Sequence, residues 1–219
     1  MLPLDIPPEH GLITFDVPVA PVSFQAPTSR KASLVKALRS VVSNCRYLLS
    51  GDVKIAIQWH ISERVRYESD GSADVDNIVK PILDALSGPD GIIVDDCQVQ
   101  QLTCYWTGSY AHPEVEQISI ELRYHPDAFI SKEGLIFLKV KNGLYFPIHD
   151  YAAPESVLQL AEHLVWRYEI PAEMMAAGLN SESARLTVPI QRVFHRSRLG
   201  TFRLTTVEEL RERVGSGTG

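Results

Sequence analysis

Strict alternation of apolar and polar residues marks the stretch "DVKIAIQWHI", where Val53, Ile55, Ile57, Trp59 and Ile61 fall on one side of an extended chain. That period predicts a half-buried strand. Ahead of it, "GLITFDVPVAPVSF" predicts a first strand broken by Pro18 and Pro21, hence an edge strand or a strand running into a loop. Between the two, "SRKASLVKALRSVVSNCRYLL" shifts to a helical period. Leu34, Leu38, Val41, Val42, Cys45, Leu48 and Leu49 form one apolar stripe, with Ser29 placed to cap it. The remaining faces carry Arg30, Lys31, Lys36, Arg39 and Arg46, the ordinary make-up of a solvated surface.

Beyond the alternating strand, "RVRYESDGSA" is polar, ends in Asp70-Gly71 and predicts a loop. "NIVKPILDALS" returns to the helical period, with Ile78, Ile82, Ala85 and Leu86 on one side. Pro81 then belongs in or near the first turn, because a prolyl ring deeper inside costs about 3 kcal/mol. After the turn "SGPDG", "IIVDDCQVQQLTCYWTG" and "EQISIELRYH" predict two strands joined by "SYAHPEV". The order strand, helix, strand, helix, strand, strand predicts an α+β domain with a mixed sheet over residues 1–125.

Residues 126–219 predict a separate α+β extension. It holds a hairpin around Asn142-Gly143, an amphipathic helix in "APESVLQLAEHLVWRYEI" ended by Pro171, and a weaker helix in "TVEELRERV" before a disordered "GSGTG" tail. Val157, Leu160, Ala161, Leu164, Val165 and Tyr168 make the apolar face of the first of these helices, with Trp166 off it.

Bulk composition narrows the possibilities. At 219 residues and 45% hydrophobic content, the chain can bury a substantial core. No apolar run approaches the roughly 20 residues of a membrane span. The opening "MLPLDIPPEHGLITF" lacks the basic and apolar segments of a secretion signal, so the chain reads as cytoplasmic. Cys45, Cys97 and Cys104 form no CxxC pair and the histidines form no HxxxH or HxH, which argues against disulfides and zinc. The formal net charge of −6 is awkward for a nucleic-acid ligand. All of that excess lies in residues 1–125, with 10 Lys+Arg against 16 Asp+Glu, while "RLTVPIQRVFHRSRLGTFR" further on carries five arginines and no acid. If the acids bind cations, the net charge overstates the repulsion a polyanion meets.

The acids concentrate in "SADVDNIVKPILDALSGPDGIIVDDCQVQQL". Asp74 and Asp76 are two apart, so in extended chain their carboxylates face the same way, next to the positive end of the following helix. Continued alternation through "VDDCQVQ" puts Asp96, Gln98 and Gln100 on the polar side of a strand and Asp95 on the buried side. If helix and strand pack side by side, Asp74, Asp76 and Asp96 converge. Three hard oxygen donors suit Mg²⁺ or Mn²⁺, a combination that activates water for attack on a phosphodiester. Lys80, four residues after Asp76, can hold a carboxylate in place or offset charge on phosphorus. Blander readings exist: Asp76 or Asn77 as a helix cap, Lys80 as a surface partner of Asp76 or Asp84, Asp90-Gly91 as turn chemistry.

With those residues in view, "DVDNIVKPILDALSG" followed by "VDDCQV" resembles the signature of RusA-type Holliday junction resolvases. The shared features are an Asp-x-Asp-Asn, a lysine three residues on, Asp-Ala-Leu, and a double aspartate followed by x-Gln-Val. The resemblance implies a homodimeric, Mg²⁺-dependent endonuclease that nicks four-way branched DNA, with Mn²⁺ a possible substitute. It carries Asp74, Asp76 and Asp96 over as metal-binding acids and Lys80 as the catalytic lysine. Asn77, Asp95 and Gln98 become neighbours that orient the ligands. Two departures stand out. The compact members of that family end near residue 125, and where they place basic residues around the site, only Arg64 and Arg66 stand close before Asp74 here, followed by Glu68 and Asp70. Arg192, Arg196 and Arg198 of the arginine-rich stretch are the expected additional phosphate contacts. Two rival expectations remain: a DNA-binding or regulatory module that does not cleave, and a protein-interaction protein acting through residues 126–219.

Overall fold

The computed structural model describes residues 2–23, 25–68, 74–109, 116–150, 153–186 and 192–216. They form two compact units, Met1–Ile130 and Ser131–Gly219, each with its own apolar core.

In the first unit, β1 (Leu12–Val17) leads to α1 (Thr28–Val42), the short β2 (Tyr47–Leu49) and the long β3 (Val53–Ser62). Then come α2 (Glu63–Glu68), α3 (Val75–Leu86), β4 (Val99–Ser109), β5 (Gln117–Tyr124) and the short β6 (Phe129–Ser131). Four strands make one sheet in the order β1-β5-β3-β4. β5 runs antiparallel to both β1 and β3, whereas β3 and β4 are parallel. A parallel neighbour needs a crossover, and α2 and α3 lie in it. The fold is α+β with a mixed sheet, as the pattern of periods predicts. Ile55 and Ile57 of β3, Ile118, Ile120 and Leu122 of β5, and Ile13 and Val17 of β1 share one face. That face is buried in one core with Leu34, Leu38 and Val42 of α1 and Ile82, Ala85 and Leu86 of α3. Each such side chain stabilises the unit by roughly 1.5–3 kcal/mol. The opposite face is polar: Ser119 donates to Asp16 at 2.5 Å and meets His60 at 2.9 Å, and Gln58 donates to Thr107 at 2.8 Å.

Several local expectations give way. α1 begins after Pro27 without a side-chain cap, so Ser29 does not cap it. It ends at Val42, not Leu49. Tyr47, Leu48 and Leu49 are buried in succession, which suits a strand covered on both faces, and Tyr47 meets Phe129 edge-on at 6.3 Å. Arg64 to Glu68, read as the first part of a loop, lie in the helix α2, while Asp70-Gly71 lies outside the described residues. Pro81 sits well inside α3 and is buried. Its missing amide leaves the Asn77 carbonyl without its usual helical donor, a cost offset here by the buried ring. Finally, the strand expected to hold the double aspartate starts only at Val99, after a 3-10 turn at Asp96–Gln98. The alternation argument for Asp95 and Asp96 therefore fails.

The second unit contains β7 (Leu135–Lys141), β8 (Leu144–His149), α4 (Pro154–Ala176), α5 (Ser181–Arg185), β9 (Phe194–His195), a 3-10 turn (Arg196–Arg198), β10 (Leu204–Thr205) and α6 (Val207–Ser216). Its sheet order is β10-β7-β8-β9. The β7–β8 hairpin turns at Asn142-Gly143 as predicted, with Gly143 at φ +71. Val157, Ala161 and Leu164 of α4 and Val207 and Leu210 of α6 share a core with Ile136, Leu138 and Ile148. α4 continues through Pro171 to Ala176, and Leu160 is exposed instead of joining the apolar stripe. The Asp150 carboxylate is buried between Arg203 at 2.8 Å and Arg213 at 3.1 Å. Among the described residues, no helix is long and apolar enough to cross a membrane.

Candidate active site

The turn before β4 is built from its own sequence. Asp95 caps it, accepting from the Cys97 amide at 3.0 Å, while the Gln98 side chain accepts from the Asp95 amide at 3.0 Å. This reciprocal pair is a capping box, and the Asp-x-x-Gln spacing that encodes it is visible in the sequence. Gln98 does more. It is fully buried, its Oε1 also accepts from the Val94 amide at 2.7 Å, and its Nε2 donates to the Leu49 and Gly51 carbonyls at 2.9 and 2.6 Å. Both lone-pair sites and both N–H donors are thus spent on backbone. Gln98 fastens residues 94–98 to the chain between β2 and β3, and Asp96 is held in place as part of that turn.

The other acids stand at the start of α3. Asp74 occupies the N-cap position with extended backbone, yet its carboxylate caps nothing; only its carbonyl accepts, from the Asn77 amide at 3.1 Å. Asp76 follows in the first turn, and both are exposed. The helix start is tied to the sheet by Cys104 of β4, whose thiol reaches the Val75 carbonyl at 3.8 Å. Burial pushes that thiol up to about 11.

Lys80 joins the two halves. Its Nζ donates to Asp84 Oδ1 at 2.6 Å, one helical turn on, and to Asp96 Oδ2 at 2.8 Å, on the turn. The bond to Asp84, then that to Asp96, raises the lysine above its ordinary range, so the ammonium stays charged. Lys80 and Asp84 are about half exposed and Asp96 is 23% exposed. Pairs this wet contribute about 0–1 kcal/mol each, so their consequence is placement more than stability.

The donor chemistry is of the kind a hard divalent cation takes: two carboxylates at a helix start, and a third on the turn before β4 that already holds a positive charge in the Lys80 ammonium. As they stand, though, the acids do not close on one point. Among the described residues, no three His, Cys, Asp or Glu side chains are gathered to hold a metal ion together. The predicted arginines belong to both units. Arg64 pairs with Glu68 at 3.0 Å on exposed α2, and the Arg66 guanidinium lies 5.0 Å from the Trp106 ring, with Tyr67 edge-on to the same ring. Arg192 lies 5.7 Å from the Phe194 ring, and Arg196 and Arg198 are exposed on the 3-10 turn of the second unit. The buried role of Gln98, expected on the polar side of a strand, is what the motif alone leaves out; of the two surface partners weighed for Lys80, Asp84 is the one it meets.

Residues 29–123 match the sequence model of a family described as Endodeoxyribonuclease RusA. No curated protein matches the chain. The matched span runs from the start of α1 into β5 and so contains every acid of the site, the lysine between them and the turn that carries Asp96. Over residues 29–123, the span that holds the whole candidate site, the chain is thus similar to the RusA endodeoxyribonuclease family.

Proposed function

We propose that the protein is a structure-specific endodeoxyribonuclease that cuts branched DNA, four-way junctions above all, in recombination and repair in the cytoplasm. The observation that carries this reading is the Lys80 bridge, which links the helix bearing Asp74 and Asp76 to the turn bearing Asp96. Asp74, Asp76 and Asp96 would hold Mg²⁺, or Mn²⁺ in its place. When bound, such an ion supplies charge neutralisation and an activated water for attack at phosphorus.

The chain's own residues account for the rest. Gln98 and Asp95 keep the turn rigid, so the Asp96 carboxylate would be presented to the ion in a fixed orientation. Lys80 brings a permanent positive charge to the place where negative charge builds on the phosphoryl oxygens. Arg64 can exchange its weak surface pair with Glu68 for a phosphate at little cost. Arg66, held on Trp106, and Arg192, Arg196 and Arg198 of the second unit are further phosphate contacts in this reading. A homodimer would present two such centres, one to each of two opposed strands.

The test is cleavage of labelled four-way DNA by the full chain with Mg²⁺, compared with linear duplex and with chelator. Site-dependent nicking that needs the ion is expected. Folded protein that binds the junction but cuts with neither Mg²⁺ nor Mn²⁺ at any pH would leave the non-cleaving DNA-binding reading in its place.

A further inference from the structure

Tyr67 of α2 serves no core. At 71% exposed it gains little from burial, yet its ring is held in place, edge-on to Trp106 with the centroids 5.8 Å apart and the planes at 81°. The Arg66 guanidinium lies over the same Trp106 ring at 5.0 Å, its Nε shielded from solvent. α2 itself rests directly on β4, where a side chain at Gly108 would collide with Glu63. Trp106 in turn packs, with Cys104, against the buried Trp59, Ile61 and Ile78. Cys104 is the residue that reaches the Val75 carbonyl, between Asp74 and Asp76, and Trp106 follows it on the same face of β4, about 7 Å further on. An open aromatic ring of fixed orientation therefore stands beside the acids that begin α3.

Such a ring offers a flat apolar face on which any nucleobase can stack, provided the base is out of its own stack. In linear duplex each base must first be torn from its neighbours and its partner. At a branch, the bases that flank the crossing are already free or cheaply freed. Resting on the branched-DNA reading above, we infer that Tyr67 is a specificity-determining residue that stacks on an unstacked base beside the strand to be cut, so that branched DNA is held more tightly than linear duplex. Trp106 orients the ring before DNA arrives, which lowers the ordering cost of binding.

The direct readout is binding in chelator, not cleavage. Fluorescence anisotropy compares a labelled four-way junction with a linear duplex of the same arm sequence. The proteins are full-length wild type, Tyr67→Phe and Tyr67→Ala, each checked for folding by circular dichroism. Tyr67→Ala should weaken junction binding about tenfold and leave duplex binding unchanged. Tyr67→Phe keeps the ring and should match wild type. The decisive comparison replaces the nucleotides that flank the crossing with abasic sites: on that junction, wild type and Tyr67→Ala should bind alike. An equal loss on intact and abasic junctions, or on junction and duplex, makes Tyr67 a general surface contact, and the inference fails. It fails too if wild type prefers the junction and Tyr67→Ala prefers it as strongly. Wild type that binds the junction no better than duplex overturns the branched-DNA reading itself, and this inference with it.

Discussion

The start of α3 and the turn before β4 belong to the same short acidic motif, and they are built in opposite ways. At the helix start, Asp74 and Asp76 are exposed, and the Asp74 carboxylate caps none of the helix amides beside it. At the turn, Asp95 and Gln98 are committed to backbone partners, and Gln98 has no accessible surface. One side offers carboxylates to whatever arrives; the other fixes where the third carboxylate stands. Lys80, bound to Asp96 across the gap, ties the two together. The motif therefore mixes residues that do chemistry with residues that hold shape, and substitutions should separate them.

The widest separation is expected at Asp76 and Gln98. Asp76→Asn should lower single-turnover cleavage of four-way DNA about 1000-fold or more, roughly 4 kcal/mol of barrier, yet leave urea unfolding within about 0.5 kcal/mol of wild type. Gln98→Leu should do the reverse in kind. It strands the Val94 and Asp95 amides and the Leu49 and Gly51 carbonyls, at a cost of about 3–4 kcal/mol in unfolding free energy. If Gln98→Leu unfolds like wild type but fails to cut, the turn is part of the chemistry and the division is wrong. Asp95→Ala removes the cap on Cys97 and should cost about 1 kcal/mol, read from the same urea curves.

This division explains what the sequence makes legible. Alternation in β1, β3 and β5 survives into the structure because one face of that sheet is buried and the other is wet, which is the arrangement that produces a period of two. The same test misleads where burial is two-sided. Tyr47, Leu48 and Leu49 extend the apolar stripe of α1 on paper, but Ser43 and Asn44 break the helix and the chain re-enters the core extended. Around Asp95 and Asp96, parity assumed a strand, whereas Asp95 and Gln98 had already spelled a capping box. Pro81 and Pro171 show a similar limit. Both sit inside helices; for buried Pro81, tertiary packing outweighs one lost amide, a balance that local rules do not contain. Residue types and spacing identify Asp74, Asp76, Lys80 and Asp96 as candidates. That Lys80 reaches Asp96 depends on how α3 meets the turn, a long-range fact, whereas its bond to Asp84 is local, one helical turn along.

The smallest effect concerns the tie that anchors the helix start. Cys104 reaches the Val75 carbonyl from β4, and burial raises its thiol from about 9 to about 11. The folded state thus holds this proton more tightly than the unfolded chain does. The thiol's contribution is complete below about pH 9 and is lost as pH rises through about 11. Because the thiol is only partly buried, the fall should stay well under the roughly 1.4 kcal/mol per pH unit that one fully shifted proton allows. Burial also raises Tyr124 and Tyr168 to about 12, and Tyr47 further, so wild type loses stability at alkaline pH from several groups of the same sign. Cys104→Ala isolates one of them. Urea midpoints taken from pH 8 to 11 should fall less steeply for the variant between pH 9 and 10, before the tyrosines dominate. Parallel curves over that interval would mean the thiol is no more protected in the folded protein than in the unfolded chain, and that the helix start is held by Ile78 and its apolar neighbours alone.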